Sequence, residues 1–378
     1  MAEQSTSRTK QYWNYTIPER VKYATGDYFT TLKDDPHHPG LTETEVESCY
    51  AAGIQWMEML IPVRINKIAF EAIQGLAIMF AIADYKGTVI DNKAIKCHDL
   101  KMFGLNANEL LRATFSNLSD DLFYQQSEEF YWAMELLTLK TSAKSDMFQG
   151  LLYKTMATNV DNYLTLRNID GLFSFVLVGA LCCNTDELIS KLPKWHDECV
   201  NITIWIYDAI SASKHRAEGE PCDLSRYIDG GMPESVTNMI EYARQKMWHL
   251  NKKYVNEEEY QPYRAQMLSY PSWSYLMYRY RHVEFLGPAL AKYTDDDIKA
   301  TKDEKYVWYK VEQDGGPVGV IKKYRGAIEA GNADDIKSAL SRGKDLKAKQ
   351  VMREVLSDDI KNYNEIDFPV TKGSSVKI

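Results

Sequence analysis

The sequence predicts an all-α protein with a large apolar interior, and three observations carry that prediction. Apolar residues recur three and four positions apart in several long segments, as they do on one face of an α-helix. Two runs, residues 73–83 and 171–183, are apolar enough to form buried helices but too short to span a bilayer comfortably. Apolar residues make up 45% of the 378 residues and charged residues 26%, which suits a sizeable core. We therefore expect a helical bundle without stable membrane insertion.

Composition divides the chain into three segments. Residues 1–40 are polar and end in a stretch punctuated by proline and glycine, whereas residues 41–291 carry the helical pattern. Residues 292–378 are rich in Lys, Asp and Glu and contain one further helical stretch. We predict, in that order, a polar N-terminal segment, an α-helical domain and a polar, partly helical C-terminal extension.

Charge and cysteine usage argue against several classes of protein. The net charge is −8 and the basic residues are dispersed among acidic ones, so we expect no nucleic acid partner. The six cysteines form no CxxC pair and have no histidine at zinc-finger spacing, and the first residues contain no hydrophobic signal core. These features predict free thiols and a cytoplasmic protein, and they leave a homodimer open.

Capping residues and helix breakers delimit the individual helices. Thr42 suits an N-cap, Pro62 interrupts the first helix, and Gly87 suits a C-terminal cap for the second. The predicted helices cover about residues 42–61, 65–84, 106–115, 123–139, 201–218, 234–254, 271–281 and 332–359.

The helix over residues 201–218 carries the first candidate site. Asp208, Ser211 and His215 are three and four residues apart, so they share one face of the helix, and Lys214 lies beside them. Oxygen ligands at this spacing next to a lysine suit a divalent cation that carries a phosphate. An ordinary helix that emerges from a core into solvent explains the same pattern.

Two other apolar helices end in charged groups. Asp84 follows a nearly uniform apolar run, where a carboxylate needs solvent, a cation or a metal. Arg167 is followed by Asp170 and Gly171, and an arginine at such a place is a natural bidentate donor to phosphate. The acid pair at 120–121 is a weaker metal candidate, because a serine followed by acids is typical of a helix N-terminus.

The helix from about Pro271 ends in Arg279, Tyr280 and Arg281, which place two cations and a phenol at one rim. A basic helix end is also favoured by the helix dipole alone. Large apolar residues close to the charged groups are candidates to line a pocket, although such residues more often fill a core. These pocket candidates are Met79, Phe80, Phe173, Trp205, Trp273 and Met277.

Charged groups thus stand at the ends of apolar and aromatic helices. Ionisation of an allylic diphosphate requires these two environments together. Cations take the leaving diphosphate, while a dry aromatic cavity shelters the carbocation from water.

The motifs on two helices resemble those of the class I terpene synthases, most closely the fungal sesquiterpene cyclases of the trichodiene synthase type. Residues 207–215 are similar to the second metal motif of that family, Asn-Asp-x-x-Ser-x-x-x-Glu, but have tyrosine and histidine where Asn and Glu are expected. Asp84, which lies 124 residues before Asp208, resembles a reduced form of the aspartate-rich motif.

Two further elements strengthen the resemblance, which covers roughly residues 45–290. Arg167, Asp170 and Gly171 are similar in order and spacing to the diphosphate sensor, linker and effector of the family. The segment Trp273–Tyr280 resembles the C-terminal Trp-x5-Arg-Tyr element. The resemblance implies the class I helical bundle around an apolar active-site cavity, with a helical C-terminal extension.

The resemblance also implies a cofactor and roles for individual residues. Three Mg²⁺ ions would be held with the help of Asp84, Asp208 and Ser211. The diphosphate would be bound by Arg167, Lys214, Arg279 and Tyr280. His215 is a poor Mg²⁺ ligand and would instead donate to phosphate.

The departures from the family motifs resemble those of the atypical fungal humulene synthases of tropolone meroterpenoid pathways. This resemblance implies a carbon–oxygen lyase that converts (2E,6E)-farnesyl diphosphate to α-humulene by ionisation, closure of C1 onto C11 and loss of a proton. Another sesquiterpene or a diterpene as product is the alternative within the fold. A non-catalytic helical interaction protein, in which the altered motifs mark lost metal binding, is the alternative from a different class.

Overall fold

The computed structural model describes residues 43–102, 105–140, 155, 159–217, 224–226, 234–276 and 340–361, and these are predominantly helical. In chain order the helices are α1 (Glu43–Leu60), α2 (Lys67–Lys86), α3 (Asn92–Lys96), α4 (Ala107–Thr114), α5 (Asp120–Lys140), α6 (Val160–Asp170), α7 (Phe173–Asn184), α8 (His196–Ala217), α9 (Glu234–Tyr254), α10 (Tyr260–Leu276) and α11 (Lys347–Lys361). Two short antiparallel strands, β1 (Lys101–Met102) and β2 (Leu105–Asn106), form the one sheet of the described part. The prediction of an all-α fold is confirmed.

The chain forms two compact units. Within the described part, the first contains the residues up to 140 together with 174–194 and 261–266. The second contains the remaining described residues, among them α6, α8, α9 and α11. The predicted boundaries after residues 40 and 291 lie outside the described residues and stay predictions.

Helices α1 and α2 of the first unit approach each other closely at Gly53. A Cβ atom on Gly53 would lie 2.7 Å from the backbone nitrogen of Ile78, so only glycine fits between the two helix backbones. The N-cap of helix α2 is Asn66, whose side chain accepts a hydrogen bond from the N–H of Ala69 at 3.0 Å. The N–H of Asn66 in turn donates to the carbonyl of Cys183 at 2.9 Å, which ties the start of α2 to the end of α7.

The two apolar runs form buried helices, as the sequence predicts. Met79 and Phe80 of α2 are buried, and Phe80 packs against Trp56 with ring centroids 5.7 Å apart. Phe175 of α7 packs against Phe115 and Phe130, with ring centroids 5.0 and 5.6 Å apart. No single helix of the described part is long and apolar enough to cross a membrane, and α6 and α7 reach that length and composition only when taken together.

The predicted cap of α2 is confirmed, whereas the predicted start of α10 is wrong. Gly87 occupies the C-cap position of α2 with a right-handed φ of −55°, and the chain continues into a 3₁₀ turn over Gly87–Val89. Helix α10 begins at Tyr260 rather than near Pro271, and the proline lies inside it. Buried tyrosines three and seven residues apart, Tyr260, Tyr263 and Tyr270, bury one face of this helix and outweigh the helix-breaking tendency of the proline.

In the second unit, α8 packs against both α6 and α9. The ring of Trp205 on α8 lies 4.3 Å from that of Tyr242 on α9. Trp195, just before α8, packs against Tyr254 and Tyr260, with ring centroids 4.6 and 5.7 Å apart. These contacts hold α8 between its neighbours and fix the side chains on its inner face.

Candidate active site

A buried arginine and a buried aspartate join α6 to α8. Arg167 donates from Nε to Oδ1 of Asp208 over 3.0 Å, and its Nη2 lies 3.0 Å from the same oxygen. The side chains are 3% and 0% exposed. Such a pair keeps its full electrostatic interaction, because little water screens it, but both groups have also lost their hydration.

Both carboxylate oxygens of Asp208 are occupied by protein donors. Oδ1 accepts the two guanidinium contacts, while Oδ2 accepts the hydroxyl of Tyr163 and, at 3.3 Å, the backbone N–H of Leu224. Tyr163 lies one turn before Arg167 on α6, so its side chain is on the same face of that helix. A carboxylate accepts about four hydrogen bonds, and these four donors therefore use the capacity of Asp208.

Asp170 provides a second carboxylate for the same arginine. Nη1 of Arg167 donates to Oδ2 of Asp170, whose side chain is 2% exposed. We name Tyr163, Arg167, Asp170 and Asp208 the Arg167 cluster. Burial lowers the pKa of Arg167, but the charges of Asp208 and Asp170 more than compensate and hold that pKa well above its ordinary value. The cluster therefore contains a permanent cation.

Helix α6 ends immediately after the cluster. The N–H of Gly171 donates to the carbonyl of Arg167 at 3.0 Å, and Leu172 then adopts a left-handed φ of 51°. A Cβ atom on Gly171 would lie only 2.2 Å from a ring carbon of Phe173. Gly171 thus lets the ring of Phe173 pack directly on the backbone at the helix end.

Aromatic rings cover one side of the arginine. The guanidinium carbon of Arg167 lies 5.2 Å from the ring centroid of Tyr207, within cation–π range. The ring of Phe173 lies 5.5 Å from Tyr207 and 5.8 Å from Tyr270. Tyr207, which replaces an expected metal ligand, is therefore part of an aromatic layer beside the buried cation.

Several predicted site residues lie elsewhere or outside the described part. Asp84 is half-buried near the end of α2, in the first unit. The backbones of Lys214 and His215 belong to α8, but their side chains are outside the described residues. The same holds for the side chain of Trp273, and Met277, Arg279 and Tyr280 lie wholly outside.

The described arrangement of α8 does not fit Mg²⁺. Asp208 is used by four protein donors, and the hydroxyl of Ser211 donates to the carbonyl of Tyr207 at 2.7 Å. Nowhere in the described residues do three or more His, Cys, Asp or Glu side chains group as metal ligands would. The roles of Asp84, Asp208 and Ser211 as metal ligands therefore stay predictions.

Comparison with known proteins identifies the family. The family model described as alpha-ionylideneethane synthase aba3 matches residues 24–357, which include the whole Arg167 cluster. The chain belongs to the alpha-ionylideneethane synthase aba3 family. This is a family of fungal sesquiterpene cyclases, so the predicted membership of a fungal terpene cyclase family is confirmed.

Relatives of this family differ in how much of their length they share with the chain. An alpha-ionylideneethane synthase aba3 of Botryotinia fuckeliana is 23% identical over 354 residues, which cover 87% of this chain and 81% of that protein. An alpha-ionylideneethane synthase abl3 of Pyricularia oryzae (strain Y34) is 24% identical over 223 residues, which cover 58% of this chain and 41% of that protein. The chain thus matches less than half the length of the Pyricularia relative. These relatives support a terpene cyclase, but they do not support a humulene synthase specifically.

Three residues that form or contact the Arg167 cluster and its aromatic layer were not singled out from the sequence. Tyr163 could have been found, because it lies four residues before Arg167 and so shares its helix face. The contact of Tyr270 with Phe173 joins residues 97 positions apart, and no local pattern indicates it. The backbone N–H of Leu224 carries no side-chain signal at all.

Proposed function

We propose that this protein is a sesquiterpene cyclase that converts (2E,6E)-farnesyl diphosphate to a C15 hydrocarbon, with release of diphosphate, and that the hydrocarbon is α-ionylideneethane. The observation that carries this proposal is the family match over residues 24–357. The names of the relatives favour α-ionylideneethane. The second candidate is α-humulene, which rests on the altered metal motifs of α8.

The aromatic layer suits the hydrocarbon part of this reaction. A carbocation is stabilised by the faces of aromatic rings and is quenched by water. Phe173 and Tyr270 are almost fully buried, whereas Tyr207 is half-buried beside them. We therefore assign Phe173, Tyr207 and Tyr270 to the wall that faces the farnesyl chain.

The Arg167 cluster suits a positioning role. All three guanidinium nitrogens of Arg167 lie against Asp170 or Asp208, so in this arrangement they do not project toward a diphosphate. We assign diphosphate binding to Lys214, Arg279 and Tyr280, as the motif resemblance implies. Arg167 then holds α6 against α8 and keeps Tyr207 in place.

One product assay tests the overall proposal. Purified protein is incubated separately with geranyl, farnesyl and geranylgeranyl diphosphate, with Mg²⁺ or with EDTA, and the extracted hydrocarbons are analysed by gas chromatography and mass spectrometry. We expect α-ionylideneethane from farnesyl diphosphate alone. A C20 hydrocarbon as main product would contradict the substrate, and α-humulene would keep the cyclase and replace the product. Absence of hydrocarbon under all conditions would favour a non-catalytic helical protein.

A conservative substitution separates positioning by Arg167 from contact with the diphosphate. If Arg167 acts by positioning other groups, Arg167→Lys lowers kcat and the stability of the protein, while the KM for farnesyl diphosphate changes little. If Arg167 contacts the diphosphate directly, the same substitution raises KM. Arg244→Lys is the matched control, because Arg244 forms an exposed pair with Glu241 on the surface of α9.

A further inference from the structure

Helix α11, the last described helix of the chain, packs against the helix that carries the buried arginine. Both α11 and α6 belong to the second unit, and among the described helices α6 is the principal neighbour of α11. Ala348 and Met352 lie one turn apart on α11, and each is only 2% exposed. They form a buried apolar face, so α11 is part of the core of this unit.

The turn before α11 fixes the direction of this helix. Gly343 has a left-handed φ of 70°, as glycine often has just after a helix end. Lys349 donates from Nζ to the carbonyl of Arg342, and Arg353 donates from Nη1 to the carbonyl of Leu340 at 2.8 Å. These bonds occupy carbonyls that a helix end otherwise leaves without a partner. Because the two donors belong to α11 itself, its buried face is held in one orientation.

Helix α6 depends on its neighbours for stability. It has 11 residues, and isolated helices shorter than about 12–15 residues are only marginally stable in water. Arg167 faces α8, whereas Ile169 lies about 160° away around the helix and is also buried. Helix α6 is therefore covered on two opposite sides. Among the described helices, α8 and α11 are those that pack on it most extensively.

We infer that α11 holds α6 against α8, and that Met352 is a positioning residue that acts on the reaction only through the Arg167 cluster. The family match supports this inference, because it extends to residue 357 and so includes Met352 as well as the cluster. The consequence for catalysis rests on the proposed function. The consequence for the stability of α6 does not, and it can be measured without any substrate.

Loss of the support from α11 should act on the aromatic wall before it acts on the diphosphate. If α6 shifts or frays, the contacts between Arg167 and Asp208 open and the guanidinium leaves its place 5.2 Å from the ring centroid of Tyr207. That ring belongs to the wall that we assign to the farnesyl chain. The groups to which we assign diphosphate binding lie outside α6, so the KM for farnesyl diphosphate should change little.

Hydrogen exchange measured by mass spectrometry tests the structural step. In Met352→Ala we expect the amides of residues 160–170 to exchange at least about tenfold faster, because truncation of a buried methionine costs more free energy than that factor requires. Met102→Ala is the matched control, because Met102 of β1 is 3% exposed and belongs to the first unit. An unchanged rate in α6, or an equal rise in α2, would overturn the inference. If Met352→Ala fails to fold, the smaller truncation Met352→Val is measured in the same way.

Steady-state kinetics test the step to catalysis. Met352→Ala should lower kcat about tenfold and leave the KM for farnesyl diphosphate within about twofold, whereas Met102→Ala should leave both unchanged. Met352→Leu, which keeps most of the volume, should restore kcat. In an Arg167→Lys background Met352→Ala should lower kcat much less, because the cluster is already disturbed. If the two effects on kcat simply multiply, Met352 does not act through the cluster and the inference is wrong.

The two measurements separate this inference from the proposed function. If the unchanged chain makes no hydrocarbon, the proposed function falls, but faster exchange confined to α6 in Met352→Ala still supports the role of α11. If the unchanged chain is an active cyclase and Met352→Ala changes neither kcat nor the exchange of α6, the proposed function stands and this inference is overturned.

Discussion

Arg167 and Asp208 meet across α6 and α8 through two contacts of 3.0 Å, although 41 residues separate them in the chain. Asp170 accepts the remaining donor, so one cation is held between two buried carboxylates. This arrangement makes each member of the cluster depend on the others. Its energetic consequences can be measured independently of catalysis.

Replacement of the buried arginine should strongly destabilise the protein. Arg167→Met leaves two carboxylates without their cation, and we expect a loss of about 3–5 kcal/mol in the free energy of unfolding by urea. Arg244→Met, which breaks an exposed pair, should leave the unfolding midpoint nearly unchanged. Adding Asp170→Asn and Asp208→Asn to Arg167→Met should recover part of the loss. If the triple variant is as unstable as Arg167→Met, the unpaired carboxylates do not cause the loss of unfolding free energy.

The hydroxyl of Tyr163 should stabilise the protein through Asp208. Tyr163→Phe removes one donor to a buried carboxylate, which typically costs about 1–3 kcal/mol. In an Asp208→Asn background the same change should cost less, because the charged acceptor is gone. Urea unfolding of the four proteins of this double-mutant cycle measures the coupling, and strictly additive effects would contradict it.

A side chain at position 171 should destabilise the protein, because the ring of Phe173 packs against the backbone there. Gly171→Ala places a Cβ atom 2.2 Å from a carbon of that ring, and the ring packs against Tyr207 and Tyr270, so we expect a loss of about 1–3 kcal/mol in the free energy of unfolding. Gly171→Ala/Phe173→Leu should be less destabilised than the sum of its single changes. Gly53→Ala is the comparison, because its close neighbour is the backbone of Ile78 and no side-chain change can relieve the clash.

Stability should fall in mild acid because of His196. Burial lowers the pKa of His196 to about 4, against an opposing effect of Asp197, whereas an unfolded histidine titrates near 6.5. The unfolded state therefore takes up the proton first as the pH falls. The contribution of His196 to the free energy of unfolding is constant above about pH 6.5 and declines from there down to about pH 4, by about 2 kcal/mol at pH 5.

Urea unfolding between pH 7.5 and 4.5 measures this decline. In His196→Phe the pH dependence over this range should be smaller than in the unchanged chain. His249→Gln, at an exposed position of α9, should keep it. Identical pH profiles of His196→Phe and the unchanged chain would show that other groups cause the decline.

The sequence gives a good account of features that depend on neighbouring residues. The spacing of apolar residues predicts the buried helices α2 and α7, and α9 begins and ends at the predicted residues Glu234 and Tyr254. The grouping of Arg167, Asp170 and Gly171 depends on a single helix end and is likewise visible. The late predicted start of α10 shows the limit, because Pro271 is read as a helix start when its buried tyrosine neighbours are not considered.

The sequence by itself determined the helical class, the apolar cores of the helices and which charged residues stand at their ends, since these follow from periodicities of three and four residues. Only the tertiary structure decided which groups those charged residues contact. Asp208 has the spacing of a metal ligand, yet its oxygens are taken by Arg167, Tyr163 and the backbone of Leu224. The reason is physical: a buried carboxylate must be compensated, and its partners come from a neighbouring helix and a turn whose approach no local pattern records.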